Sequence, residues 1–404
     1  MPIIEPRFRA PFLALFCVFA LFGTSITIIG ATLPRILADF QWDYLVAGLV
    51  IGAGSVAYFV STFAAGHLVK RYGPKRTIVL GLLLAVTGLA FFAANADPLA
   101  NILLYALIGL GQGCIEVGVN CATLSIDPHN TGRPMNLMHG AFAVGAIAGP
   151  LALGALLRGG LSWIVIYRAI ALICALLAAL VVFTALPAPS TPAGTHADAH
   201  QRLGANPAYW LSFVALFVYV GVEVGVSNWI AEYFVAVFAY PPDASALLVS
   251  LFWAGLLAGR FGVPLLYHGP RQDVAMLALS LLATVAIGAL AALGHVEANA
   301  GLVDTGRVLV FLAGLGCSIY YPVIITLLGK CFPHAQSQAI GFAATGGGIG
   351  MFVFPFVMSA CAQAWGIRAG FATYGVFAAM MTAAAVGLAV AAARHAAAAS
   401  ATAR

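Results

Sequence analysis

Thirteen acidic residues occur in the 404-residue chain, and eleven of them lie in loops, tails or near the ends of apolar stretches: Glu5, Asp39, Asp43, Asp97, Asp127, Asp198, Glu232, Asp243, Asp273, Glu297 and Asp304. The other two, Glu116 and Glu223, stand deep inside long apolar runs. A charged side chain at the middle of a bilayer costs about 2.5–3.5 kcal/mol on insertion scales, so it persists only with a partner or a task. Burial favours the neutral form of a carboxyl, which lets such a group take up and release protons near working pH. Glu116 is therefore read as a proton-coupling or substrate-contacting group, with a structural hydrogen bond as its alternative.

The neighbours of these two carboxyls extend the chemistry. Asn120 follows Glu116 by four residues and shares its helical face. His139 is the nearest candidate to complete that polar group from another helix, with interfacial solvation as its bland reading. Glu223 shares a stripe with Tyr219 and Ser227, next to Asn228 and Trp229. A carboxylate, an amide and aromatic rings on one wall suit a sugar, whose hydroxyls take the polar groups and whose C–H face takes the ring. The bland reading is an interhelical hydrogen-bond network. Trp253, Tyr320 and Tyr321 are further candidates for the lining, with packing as the competing role. Arg260, near the end of its apolar run, is expected to snorkel or gate. No role is assigned to Arg168.

The elements that hold these groups follow from composition. The chain is 62% hydrophobic and 8% charged, with mean hydropathy +1.01. Soluble domains run near 45–50% apolar and about 25% charged. A soluble enzyme, a disordered chain and a disulfide scaffold are excluded together. A helix needs about 20 apolar residues to cross the hydrocarbon core. Twelve candidate spans emerge, near 11–34, 43–66, 77–95, 98–123, 136–158, 162–186, 208–234, 243–265, 273–293, 305–329, 337–362 and 368–393. The first run is too long for the apolar region of a leader peptide and is read as a span. A polar stretch rich in Pro, Ala, Ser, Thr and His separates spans six and seven. The expected organisation is a six-helix lobe over 1–186, a cytoplasmic linker over 187–207, a second six-helix lobe over 208–393 and a cytoplasmic tail over 394–404.

Charge sets the expected orientation. With the N-terminus inside, Arg7, Arg9, Lys70, Arg71, Lys75, Arg76, Arg133, Arg202, Arg260, Arg271, Lys330, Arg394 and Arg404 gather on the cytoplasmic side. Arg35, Arg158, Arg168, Arg307 and Arg368 fall on the other. That bias places both termini in the cytoplasm. The net charge of +5 is spread through loops, so it reads as a topology signal and not as a nucleic-acid surface. The seven cysteines show no metal-ligand spacing and read as small buried hydrophobes. No metal or cofactor is expected.

The halves echo one another. Gly66–Arg76 reads GHLVKRYGPKR and Gly262–Gln272 reads GVPLLYHGPRQ, sharing a glycine, six residues and then Gly-Pro-basic. Gly109-Leu110-Gly111 in span four is matched by Gly314-Leu315-Gly316 in span ten. Weak repetition about a central linker is the mark of a two-lobed secondary transporter. The first of these loops resembles the G-x-L-x-D-R-x-G-R-K/R signature of the major facilitator superfamily, with Lys70 at the usual Asp and Pro74 at the usual Arg. A basic residue there is similar to the fucose–galactose–glucose:proton symporter branch. The stretches Gly109–Asn120, Asn136–Phe142, Tyr219–Glu223 and Phe252–Arg260 resemble spans four, five, seven and eight of that branch. The acidic residue that the branch uses in span one is missing here, with Gly30 near its place.

The resemblance implies the major facilitator fold: an all-α integral membrane protein of twelve helices in two pseudo-symmetric lobes, in the inner (plasma) membrane. It implies a gating loop comprising Gly66, Lys70, Arg71, Gly73, Lys75 and Arg76, with Arg260 in a related role. The expected function is alternating access with proton-coupled uptake of a small polar solute, a monosaccharide or polyol, by a monomer whose partners are substrate, protons and the lipid bilayer. One motif points to export: Gly145–Gly154 resembles the G-x3-G-P-x3-G pattern of drug:proton antiporters. Proton-antiport efflux of sugars or drug-like compounds is therefore the alternative. An intramembrane enzyme would need a catalytic constellation, and HExxH, paired mid-span aspartates and a Gly-x-Ser-x-Gly elbow are all missing from the sequence.

Overall fold

The structure, a computed structural model, describes residues 4–126, 133–186, 204, 206–267, 271–296, 300–332 and 336–402, with only the backbone at 133, 136, 264, 265, 300, 329, 330, 336–338 and 392–402. Most of the expected 187–207 linker, together with Arg202 and Arg404, lies outside the described residues. Among the described residues the chain forms thirteen α-helices. They are α1 (Arg9–Phe40), α2 (Tyr44–Tyr72), α3 (Pro74–Phe91), α4 (Pro98–Ile126), α5 (Arg133–Arg158), α6 (Trp163–Phe183) and α7 (Pro207–Phe238). There follow α8 (Pro242–Leu266), α9 (Gln272–Leu293), α10 (Ala300–Cys317), α11 (Tyr320–Cys331), α12 (Gln336–Trp365) and α13 (Ile367–Thr402). Twelve stretches among the described residues are long and apolar enough to cross a membrane, in the order expected. Helix α13 runs on to Thr402 and takes in most of the residues read as a tail.

Local chemistry starts and stops these helices. Asp43, Ser162 and Asn206 cap α2, α6 and α7 by accepting from Val46, Ile164 and Ala208 backbone N–H groups at 2.8, 3.3 and 3.0 Å. Pro74 opens α3, where its missing N–H is not needed. The turn between α2 and α3 passes through Gly73 at φ 83°, a left-handed backbone that favours glycine, so the short link between the basic residues of the loop depends on it. Large apolar side chains such as Leu13, Leu103, Leu172 and Phe183 stay exposed. In a bilayer their partner is lipid.

The chain divides into two compact units, Met1–Thr195 with Pro242–Ser250, and His196–Pro241 with Leu251–Arg404. In the first, α1 packs on α5, α2 and α3 on α4, and α3 on α6. The opening turns of α8 group with it: Arg35 Nε donates to Asp243 Oδ1 at 3.0 Å, and Ser250 Oγ donates to the Ile147 carbonyl at 2.8 Å. In the second, α7 packs on α12 and α13, and α9 on α10 and α13.

The repeated glycines do the same work in both units. A Cβ on Gly109 would lie 2.1 Å from the Gly54 carbonyl oxygen of α2, and one on Gly314 would lie 1.9 Å from the Phe252 carbonyl oxygen of α8. Gly111 and Gly316 meet α3 and α9 as closely. The Gly145 motif is also a packing device: Gly145 lies against Ala20 of α1, and Thr24 Oγ1 donates to the Gly145 carbonyl at 3.1 Å.

The tenth span, expected as one helix over 305–329, is broken at Ser318–Ile319 into α10 and α11. Pro322 accounts for the break. It has no N–H to give the Ser318 carbonyl, and its ring crowds that carbonyl.

Candidate functional site

In the first unit the polar groups form a ladder along α4. Gln112, Glu116 and Asn120 follow one another at intervals of four and so share a face. Gln112 Nε2 donates to Ser25 Oγ of α1 at 2.7 Å. The Glu116 carboxylate accepts from the Tyr58 hydroxyl of α2. Asn120 Oδ1 is buried without a hydrogen-bond partner. The ladder therefore runs from a satisfied amide, through a carboxyl held by a neutral phenol, to an acceptor left open. His139 of α5 sits edge-on to the Phe19 ring of α1, with centroids 5.6 Å apart. In the expected gating loop Lys70, Arg71 and Arg76 are exposed, and Arg71 lies over the Tyr72 ring.

In the second unit the second carboxyl has a different environment. Glu223 of α7 is buried, and its Oε1 stands 3.6 Å from Arg260 Nη2 of α8. Arg260 Nε donates to the Ser318 carbonyl at 3.3 Å. That carbonyl is the one Pro322 leaves without a helical donor, so the arginine fills the vacancy in the backbone ladder. The approach depends on Gly259, whose Cβ would fall 2.0 Å from Ser318 Oγ. Arg260 was expected to snorkel or gate; the structure ties it to a buried carboxylate and a helix break.

The rest of the expected lining divides in two. Tyr219 stacks on Tyr320 with ring centroids 5.1 Å apart, and the Tyr320 hydroxyl donates to the Met381 carbonyl at 2.7 Å. The Tyr219 hydroxyl feels both Glu223 and Arg260 yet makes no bond of normal length. Trp253 Nε1 donates to Ser227 Oγ at 2.8 Å. Asn228 and Trp229 are buried in α7, and Tyr321 is exposed. So Tyr219, Glu223 and Arg260 come together, with Ser227 and Trp253 joined as a second pair.

Several functional or structural partners were not foreseen. Tyr58 is a single tyrosine in an apolar run and gives no sequence signal. Ser318 has one, the proline four residues later. Glu232, counted among residues near span ends, is buried, because α7 continues to Phe238. Arg168 caps α3: its Nη1 donates to the Leu89 and Phe92 carbonyls, both at 2.7 Å, satisfying the end of the helix. Among the described residues no group of three or more His, Cys, Asp or Glu side chains gathers as a metal site.

Two carboxyls, twelve spans and a repeated glycine scaffold narrow the comparison with known proteins. Residues 15–303 and 267–403 match the Major Facilitator Superfamily. The chain belongs to that superfamily. It is a multi-pass transporter of the inner membrane, and it is not an enzyme. It is similar to the glucose/galactose transporter of Brucella abortus biovar 1 (strain 9-941), 26% identical over 367 residues and 84% of each chain. It is also similar to the L-fucose-proton symporter of Escherichia coli (strain K12), 27% identical over 401 residues and 87% of each chain. Among solved structures, the D-xylose-proton symporter superposes with a TM-score of 0.75 over 94% of this chain and 96% of the other, at 15% identity. The Escherichia coli fucose:proton symporter does so with a TM-score of 0.59 over 94% and 99%, at 21% identity. At those identities the superpositions establish the fold.

Proposed function

We propose that the protein takes up a monosaccharide or polyol with a proton, acting as a monomer with both termini in the cytoplasm. The observation that carries the reading is the contrast between the partners of Glu116 and Glu223. Glu116 is held by a neutral phenol, so losing its proton creates a charge that Tyr58 does not cancel. Glu223 is paired with Arg260, so its charge is balanced in place. The uncompensated carboxyl is the one suited to carry a proton, because binding and releasing it changes the charge the protein must move through the membrane. The compensated carboxyl is suited to stay ionised and accept hydrogen bonds from a solute. Asn120, with an open acceptor, and His139 belong to the proton-linked side of this scheme; Tyr219, Ser227, Asn228, Trp229, Trp253, Tyr320 and Tyr321 belong to the solute-linked side. The relatives named for glucose/galactose and for L-fucose with protons support a sugar as the solute. Lobes over 1–186 and 208–393 joined by a linker belong to the same proposal; the division into two units supports it except at Pro242–Ser250, which groups with the first.

The test is proton movement. In cells expressing the protein, addition of galactose or L-fucose to a lightly buffered suspension should alkalinise the medium, and Glu116→Gln should abolish that signal and active accumulation while leaving part of solute exchange. Acidification on sugar addition would favour antiport, and unchanged accumulation in Glu116→Gln would remove the proton role from this residue.

A further inference from the structure

Arg260 is fixed at one end and open at the other. Its Nε is committed to the Ser318 carbonyl at 3.3 Å. Its Nη2 stands 3.6 Å from Glu223 Oε1, near enough to balance charge and too far for a hydrogen bond. The terminal N–H groups of the guanidinium thus keep donor capacity. The Tyr219 hydroxyl lies beside both Glu223 and Arg260, and the Ser318 hydroxyl is buried without a hydrogen-bond partner. Exposure falls from 35% for the Arg260 side chain to 9% for that of Glu223, so the arginine is the more open member of the pair.

An isolated guanidinium is best matched by an oxyanion, which it binds with two parallel hydrogen bonds. Here that match is spoiled. Glu223 already supplies the negative charge, and a second anion on Arg260 would face it at close range, an arrangement that like-charge repulsion strongly disfavours. Neighbouring hydroxyls of a neutral solute fit better. A hydroxyl oxygen accepts from Arg260 while its O–H donates onward to Glu223, bridging the gap without adding charge.

We propose that the Glu223–Arg260 pair is a charge filter within the second unit, which accepts the adjacent hydroxyls of a neutral sugar or polyol and rejects sugar acids. This rests on the sugar reading above and sharpens it. Arg260 supplies the donors, Glu223 sets the sign, and the Pro322 break supplies the carbonyl that holds Arg260 in place.

The test uses the purified full-length protein in detergent, with binding read as thermal stabilisation by D-glucose, D-galactose, L-fucose, D-glucuronate and D-galacturonate. The wild type should respond to a hexose at concentrations roughly 10–100-fold below those needed for the matching uronate. In Glu223→Gln, which leaves the Arg260 charge unbalanced, that preference should shrink or reverse. In the double variant Glu223→Gln/Arg260→Gln, hexose binding should weaken about tenfold with no gain for the uronates. A general loss of folding weakens all ligands together and does not invert a preference. If Glu223→Gln does not fold, the wild-type ratio decides. Equal binding of hexose and uronate by the wild type, or an unchanged ratio in Glu223→Gln, overturns the filter while the sugar reading stands. Stabilisation by none of the five overturns both.

Discussion

Removing the Tyr58 hydroxyl tests whether Glu116 changes charge during the working cycle. The Tyr58→Phe variant deletes the hydrogen bond to Glu116 and keeps the ring. A hydrogen bond to a charged group contributes about 1.5–3 kcal/mol, and one between neutral groups about 0.5–1.5 kcal/mol. The same substitution should therefore cost about 2 kcal/mol when Glu116 is ionised and about 1 kcal/mol when it is protonated. The sign follows: the bond is charge-assisted only to the carboxylate, so the extra stability is present at high pH and lost as pH falls. Reversible unfolding in mixed micelles, followed by tryptophan fluorescence at pH 5.5 and pH 8.5, reads both costs. The difference between them should be about 1 kcal/mol. In the Glu116→Gln background, where the partner is neutral at every pH, the cost of Tyr58→Phe should be flat and near the lower value. A penalty independent of pH in the Glu116 protein would show that this carboxyl does not titrate over that interval, and the proton-carrying role would fall with it.

Three other outcomes are expected. A double-mutant cycle of Glu223→Gln and Arg260→Gln should give a coupling energy of about 2 kcal/mol in unfolding, the attraction at 3.6 Å discounted for the open side of Arg260; additivity within 0.5 kcal/mol would mean no functional pair. Arg168→Met should lower stability by about 2 kcal/mol through loss of two charge-assisted bonds at the end of α3, with transport per folded molecule unchanged; a transport defect without loss of stability would contradict the capping role. Gly145→Val should prevent assembly of α1 on α5, since a Cβ there falls 1.7 Å from the Ala20 carbonyl oxygen, whereas Gly140→Ala meets nothing within 4 Å and should be tolerated; the yield of monodisperse protein in size-exclusion chromatography separates the two.

What could be read from sequence divides along physical lines. The twelve spans were legible because a bilayer imposes a length and a polarity on every crossing, and both are visible one residue at a time. Glu116 and Glu223 were legible for the same reason. Their partners were not. Spacing along one helix brings Asn120 to Glu116 and Tyr219 to Glu223, but Tyr58 and Arg260 arrive from other helices, and their partnerships depend on how helices pack. The break in the tenth span was hidden because hydropathy averages side chains and ignores the backbone. Pro322 carried the signal, and the carbonyl it frees is the reason Arg260 is held inside. Glu232 was misplaced because α7 extends beyond the apolar run that marked its end. Arg168 had no assignment because the acceptors it needs are main-chain carbonyls, which every residue has.

The repeated scaffold sharpens the contrast between the carboxyls. Gly109 and Gly111 bring α4 against α2 and α3, and Gly314 and Gly316 bring α10 against α8 and α9, so each unit builds its inner helix on the same close contacts. On that shared frame one unit places a carboxyl with a neutral donor and the other places a carboxyl with a cation. A single site could not do both jobs well. A carboxyl that must shed and regain a proton cannot be clamped by a permanent positive charge, because the charge would hold it ionised through the cycle. A carboxyl that must present acceptors to a solute cannot afford to be neutral when the solute arrives. On the proposed reading, dividing the two tasks between the units would avoid the conflict, on a frame in which both units pack helices through glycines.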